Sequence, residues 1–404
     1  MRHVELDYYL TTMLRMSSGS VVGGASEVSD FNLTVNRPLQ VEQGGELKAV
    51  ACTPPITRLT PYQTEMFALN LLNGNPRLIR ELLGSGSCDT AYSLGGNTRF
   101  RVNVFSQRGH FSVVLRKLSS KIPSFDQLGL PPILREAAGE INGLVLVTGA
   151  TGVGKSTTLA AMLNEINETK SVHVITLEDP VEFVHTHKKS TFNQREMGCD
   201  FSAFSTGLRA ALRQSPKVIL VGEMRDRETV EVALSAAETG HLVLSTLHTI
   251  DAGVTINRIL SMFNVEEQPQ VRQRLADTLR WIVSQRLAPR IGGGRYAIME
   301  IMGSNLRTRE AIVQGESEGK TFYEITEASS PFGWRTFDQS ALAAYELNII
   351  DEDTALQYCS RRGVVSRGVD RLKQMRGQRT VRTELRMRTE AGPSPELPPP
   401  FKMK

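Results

Sequence analysis

Apolar and polar positions change their spacing three times along the chain. In "RFRVNVF" (99–105) and "HFSVVLRKL" (110–118) they alternate with period two, which predicts strands. The stretch "TPYQTEMFALNLLN" (60–73) has a helical period, and Gly23-Gly24, Gly44-Gly45 and Gly95-Gly96 mark turns. Residues 1–118 therefore read as a small α+β domain. The polar, proline-bearing segment "SSKIPSFDQLGLPP" opens a linker over 119–135. Across 136–302 apolar strands alternate with amphipathic helices, the signature of a mostly parallel α/β sheet. Residues 303–376 turn helical, as in "TFDQSALAAYEL", and 377–404 form an Arg-rich and then Pro-rich tail expected to be disordered.

The chemistry lies in the third region. "GLVLVTGATGVGKSTTLAAMLNEI" (143–166) places an apolar strand before a glycine-rich turn and a helix with Leu159, Met162, Leu163 and Ile166 on one side. This is the phosphate-loop pattern. Its glycines let backbone N–H groups wrap a phosphate, and the helix N-terminus adds a positive dipole. Gly149, Thr151, Gly152, Val153, Gly154, Lys155, Ser156 and Thr157 are the expected nucleotide-binding residues, with Lys155 on the β and γ phosphates and the Ser156 hydroxyl on Mg²⁺. The expected ligands are ATP and Mg²⁺. Two further strands run into acids: "HVITLEDPVEFVH" brings Glu178, Asp179 and Glu182, and "KVILVGEMRD" brings Glu223. Crowded carboxylates at strand ends imply a cation between them, and nucleotide sites collect at the carboxyl ends of parallel strands. His241 and His248 bracket the apolar strand of "SAAETGHLVLSTLHTID", and a histidine at its carboxyl end could hydrogen-bond a γ-phosphate.

Composition narrows the choice of partner. A net charge of +4 over 404 residues gives no concentrated basic face, so no nucleic acid is expected. Cys52, Cys88, Cys199 and Cys359 lie far apart, which points to reduced thiols in the cytoplasm and to no zinc site. No apolar run approaches the ~20 residues of a transmembrane helix. Any membrane role is then peripheral.

The motifs "TGATGVGKSTTLAAML", "ITLEDPVEFVH", "NQRE", "LVGEMRD" and "AAETGHLVLSTLHT", in this order, resemble the secretion-ATPase superfamily of type II and type IV systems, in its pilus-retraction branch. The resemblance implies a RecA-like P-loop domain after a PAS-like N-terminal domain, in a homohexamer docked on an inner-membrane platform protein. It implies that Glu182 is the catalytic base, that Glu178 and Asp179 support the metal, and that Glu223 holds the Walker B place. His241 and His248 match the family's two histidines, and Arg101 and Arg116 match its arginine fingers. Pilus assembly or secretion is the alternative within the superfamily. A nucleotide-gated regulator without productive turnover is the alternative outside it.

Overall fold

A computed structural model describes residues 3–15, 28–43, 46–95, 98–118 and 122–377. The expected tail beyond Gly377, the Gly23-Gly24 and Gly44-Gly45 turns, Gly96 and the start of the linker lie outside the described residues.

Six strands build the N-terminal sheet: β1 (Val28–Leu33), β2 (Gln40–Gln43), β3 (Glu46–Ala49), β4 (Ser87–Leu94), β5 (Thr98–Gln107) and β6 (His110–Lys117). Their order is β3-β2-β1-β6-β5-β4, and every neighbouring pair is antiparallel. The period of two read from β5 is real. Phe100, Val102 and Val104 are buried in a core shared with helices His3–Arg15, Pro61–Leu72 and Pro76–Ser85, so Arg99, Arg101 and Asn103 point to the other face. Pro61–Leu72 starts where the sequence expects it, on a capping box between Thr60 and Gln63.

Seven strands form the second sheet: β7 (Gly143–Thr148), β8 (His173–Glu178), β9 (Thr191–Glu196), β10 (Val218–Val221), β11 (Leu242–Leu247), β12 (Leu279–Pro289) and β13 (Arg295–Gly303). In the order β13-β12-β7-β11-β10-β8-β9 all pairs are parallel except β12 with β13. Every residue of β7, β10 and β11 is buried, as a sheet covered by helices on both faces requires. The helix Lys155–Thr169 turns Leu159, Met162, Leu163 and Ile166 into this core. So do Phe125, Leu130, Ile133 and Leu134, from the segment expected to be a linker. Their apolar side chains bind that stretch to the domain of the seven-stranded sheet and leave little free tether.

Past Gly303, helices Leu306–Gln314, Phe322–Ala328, Phe337–Glu346, Glu352–Tyr358 and Arg362–Met375 follow. The last three pack around Phe337, Ala341, Ile350, Val365 and Val369 on Ala288 of β12 and Ile298 of β13. Arg286 of β12 fastens them, with its guanidinium 3.8 Å from the Phe337 ring centroid and a bond to the Tyr358 carbonyl. Among the described residues no helix is long and apolar enough to cross a membrane, and all four cysteines are free.

Candidate active site

The turn after β7 is shaped by backbone geometry that only glycine adopts without strain. Gly149, Gly152 and Gly154 have φ of 141°, 82° and 91°. At Gly149 space forbids a side chain as well, because a Cβ would stand 2.5 Å from the Gln285 carbonyl oxygen. Gly154 is the N-cap of Lys155–Thr169 and gives it no side-chain cap, so the first-turn amides point outward for an anion. By contrast the helices beginning at Arg227, Ala252, Leu306 and Phe337 are capped by Asp226, Asp251, Asn305 and Thr336.

Lys155 is 8% exposed, and its Nζ donates to the carbonyls of Gly149 (2.8 Å) and Ala150 (2.9 Å). Burial lowers its pKa, and the charge of Glu182 opposes that shift. The Nζ also lies 3.5 Å from His248 Nδ1, while His248 Nε2 lies 3.2 Å from Glu223 Oε2. Burial, Lys155 and Arg225 all lower the His248 pKa. A neutral ring satisfies both contacts: Nδ1 accepts from the ammonium and Nε2–H donates to the carboxylate. His248 thus links the phosphate lysine to Glu223, whose other oxygen is held by Arg225 Nε.

Across the cavity, Glu178 ends β8 half-buried. It accepts from Thr176 Oγ1 (2.6 Å), Gln194 Nε2 (3.2 Å) and the Glu182 amide (3.4 Å). Burial outweighs these donors and raises its pKa to about 7. Asp179 is exposed and Glu182 half-buried on the same loop. These groups line one cavity of about 800 Å³, together with Thr151, Gly152, Gly154, Ser156, Thr157, Glu223 and His248. A volume of this order suits a nucleotide.

Arg101 lines it too, reaching across from β5. Arg116 does not. Directly opposite Arg101 in the β5–β6 register, it is paired with Asp30 on β1 (Nε to Oδ1, 2.8 Å), and its side chain is 66% exposed. Of the two arginines expected to approach nucleotide, Arg101 lines the cavity of this chain, while Arg116 lies outside its lining in an ion pair with Asp30. His241 does not line the cavity either. It precedes β11 at the amino end and its Nδ1 stands 3.0 Å from the Ala236 carbonyl. Seven positions of extended chain separate it from His248 by about 23 Å.

Two site residues escaped the sequence reading. Gln285 on β12 donates from Nε2 to the Val153 carbonyl (2.6 Å) and accepts from Thr158 Oγ1 (2.9 Å), and so fastens the phosphate loop to the helix behind it. His185 also lines the cavity, stacked on Phe192 with centroids 4.6 Å apart; burial pushes its pKa down to about 4 and keeps it neutral. Gln285→Ala strands the Val153 carbonyl and the Thr158 hydroxyl at a cost of about 1–3 kcal/mol. It should weaken nucleotide binding about tenfold with little change in fold, as read by titration with a fluorescent ATP analogue. Unchanged affinity would mean that the loop holds its shape without β12.

A phosphate loop on a mostly parallel sheet, with acids at the ends of the neighbouring strands and a histidine between lysine and glutamate, defines a nucleotide-binding ATPase of the P-loop class. The family model described as Type II/IV secretion system protein matches residues 90–343, and the chain belongs to that family. It is 39% identical over 328 residues to the type IV pilus retraction ATPase PilT of Pseudomonas aeruginosa, covering 81% of this chain and 93% of that protein. With the twitching motility protein of Neisseria gonorrhoeae it shares 36% identity over 367 residues, 88% of this chain and 97% of that one. The crystal structure of the pilus retraction motor PilT with bound ADP matches at a TM-score of 0.76 and 41% identity, over 88% of this chain and 99% of that one.

Proposed function

We propose that this ATPase drives retraction of a type IV pilus, working as a homohexamer at the cytoplasmic face of an inner-membrane platform protein. The observation that carries this reading is the meeting of Arg101, from the N-terminal domain, with Lys155 and Glu182 in one cavity. A site completed by a side chain from a second domain changes whenever that domain swings, so phosphate chemistry and domain motion become one event. The likeness to retraction motors along almost their whole length supports the direction of work.

In the reaction, Lys155 and the amides at the start of its helix hold the β and γ phosphates. Glu182 orients the attacking water and takes its proton, and Arg101 offsets the charge that develops on the γ-phosphate. His248, in contact with Lys155 and Glu223, reports the loss of that phosphate to the end of β10. The donors in the cavity fit Mg²⁺ by chemistry: the Ser156 hydroxyl and the carboxylates of Glu178 and Asp179 are oxygen ligands that would hold it. Bound with the nucleotide, Mg²⁺ would neutralise charge on the β and γ oxygens. Among the described residues no cluster of three or more acidic, histidine or cysteine side chains is set up as a metal cage. Mg²⁺ sites commonly rely on one or two protein ligands plus phosphate and water.

Deleting the gene and counting surface filaments tests the direction of work. Surplus filaments with loss of twitching are expected. Absent filaments would make the chain an assembly motor.

A further inference from the structure

Arg99 stands two residues before Arg101 on the same face of β5, about 7 Å along the strand. Its Nη2 is paired with Oε2 of Glu196, the last residue of β9 in the ATPase domain. The pair is shielded from water: the Arg99 side chain is 25% exposed and that of Glu196 7%. The same Glu196 oxygen accepts the Val181 amide at 3.2 Å, next to Glu182. A second contact lies beside it, for a Cβ at Gly198 would collide with the Arg77 guanidinium from the N-terminal helix Pro76–Ser85. The strand that carries Arg101 is thus anchored to the other domain one pleat away from it.

We infer that Arg99 is a positioning residue, whose ion pair with Glu196 latches the N-terminal domain so that Arg101 is held in the nucleotide cavity. The inference rests on the role proposed for Arg101. Arg99 is not among the residues lining the cavity, so it acts through the strand. An ion pair with one buried partner is a demanding anchor, because removing Arg99 leaves the buried Glu196 carboxylate without its opposite charge. Parting the domains breaks the pair and withdraws Arg101 together, so the latch and the catalytic arginine open as a unit. Glu196 keeps the Val181 amide when Arg99 is removed, so the loop bearing Glu182 stays in place.

The test is a set of steady-state rates and ATP affinities for Arg99→Ala, Arg99→Lys, Glu196→Gln, Arg101→Ala and the Arg99→Ala/Arg101→Ala double variant. Misplacing a reacting group by about 1 Å can cost about 100-fold in rate. Arg99→Ala should therefore lower kcat about 10- to 100-fold while ATP affinity stays within about twofold, since Lys155 and its loop are untouched. Arg99→Lys should recover most of the loss. Glu196→Gln keeps an acceptor for the Val181 amide but no charge, and should match Arg99→Ala. The double variant should be no slower than Arg101→Ala alone, because the latch has nothing left to place. Losses that multiply in the double variant, a drop in affinity in place of kcat, or a lysine no better than alanine would overturn the latch. If Arg101→Ala turns over like the wild type, the role of Arg101 falls and the latch with it. If Arg101→Ala is slow and Arg99→Ala is normal, only the latch falls.

Discussion

Lys155→Ala is expected to abolish ATP binding and turnover together. The side chain is 8% exposed, tied to two loop carbonyls at 2.8 and 2.9 Å, and set 3.5 Å from His248. Alanine deletes the ammonium that faces the phosphate loop, and it leaves the carbonyls of Gly149 and Ala150 without their donor. Losing one partner of a desolvated charged contact costs about 2–5 kcal/mol, hence about 30- to 5000-fold in affinity. A titration with labelled ATP reads the effect directly. Affinity within threefold of wild type would show that the loop amides bind phosphate unaided.

The second large effect separates the two arginines. Loss of an arginine that screens transition-state charge costs about 10³- to 10⁵-fold in rate. Arg101→Ala should fall in that range while still binding ATP, because Arg101 lines the cavity. Arg116→Ala should stay within about twofold, since its guanidinium is committed to Asp30 at 2.8 Å and does not line the cavity. Phosphate release is the readout, followed as a function of protein concentration. A severe loss in Arg116→Ala and none in Arg101→Ala would mean that Arg116 leaves Asp30 to act on another subunit's nucleotide.

Most of the frame was readable from spacing. The phosphate loop, the acidic strand ends and the even-odd pattern of β5 are local features, set by glycine conformation, hydrophobic period and strand polarity. The positions of Lys155, Glu178, Glu182, Glu223 and His248 around one cavity follow from those features once the strands lie parallel. What was less legible depends mainly on which distant strand becomes a neighbour. Gln285 lies 132 residues from the Val153 carbonyl it holds, and nothing in the loop's own sequence calls for it. Arg101 and Arg116 look equivalent in sequence, and only the register of β1 with β6, which brings Asp30 opposite Arg116, tells them apart. That His241 and His248 stand at opposite ends of β11 was already legible, because they bracket its apolar run. Arg99 reads as one more polar position on an alternating strand, and its meaning comes from Glu196 in the other domain.

The central claim is that this cavity hydrolyses ATP through a water held by Glu182. Glu182→Gln is close to isosteric and leaves Lys155 and the loop untouched, so ATP affinity should match wild type while phosphate release falls at least ~100-fold. The decisive measurement is phosphate release beside ATP binding for that one variant. Tight binding with near-absent turnover is the expected result, and near-normal turnover would contradict the account and move the base to Glu178 or Glu223.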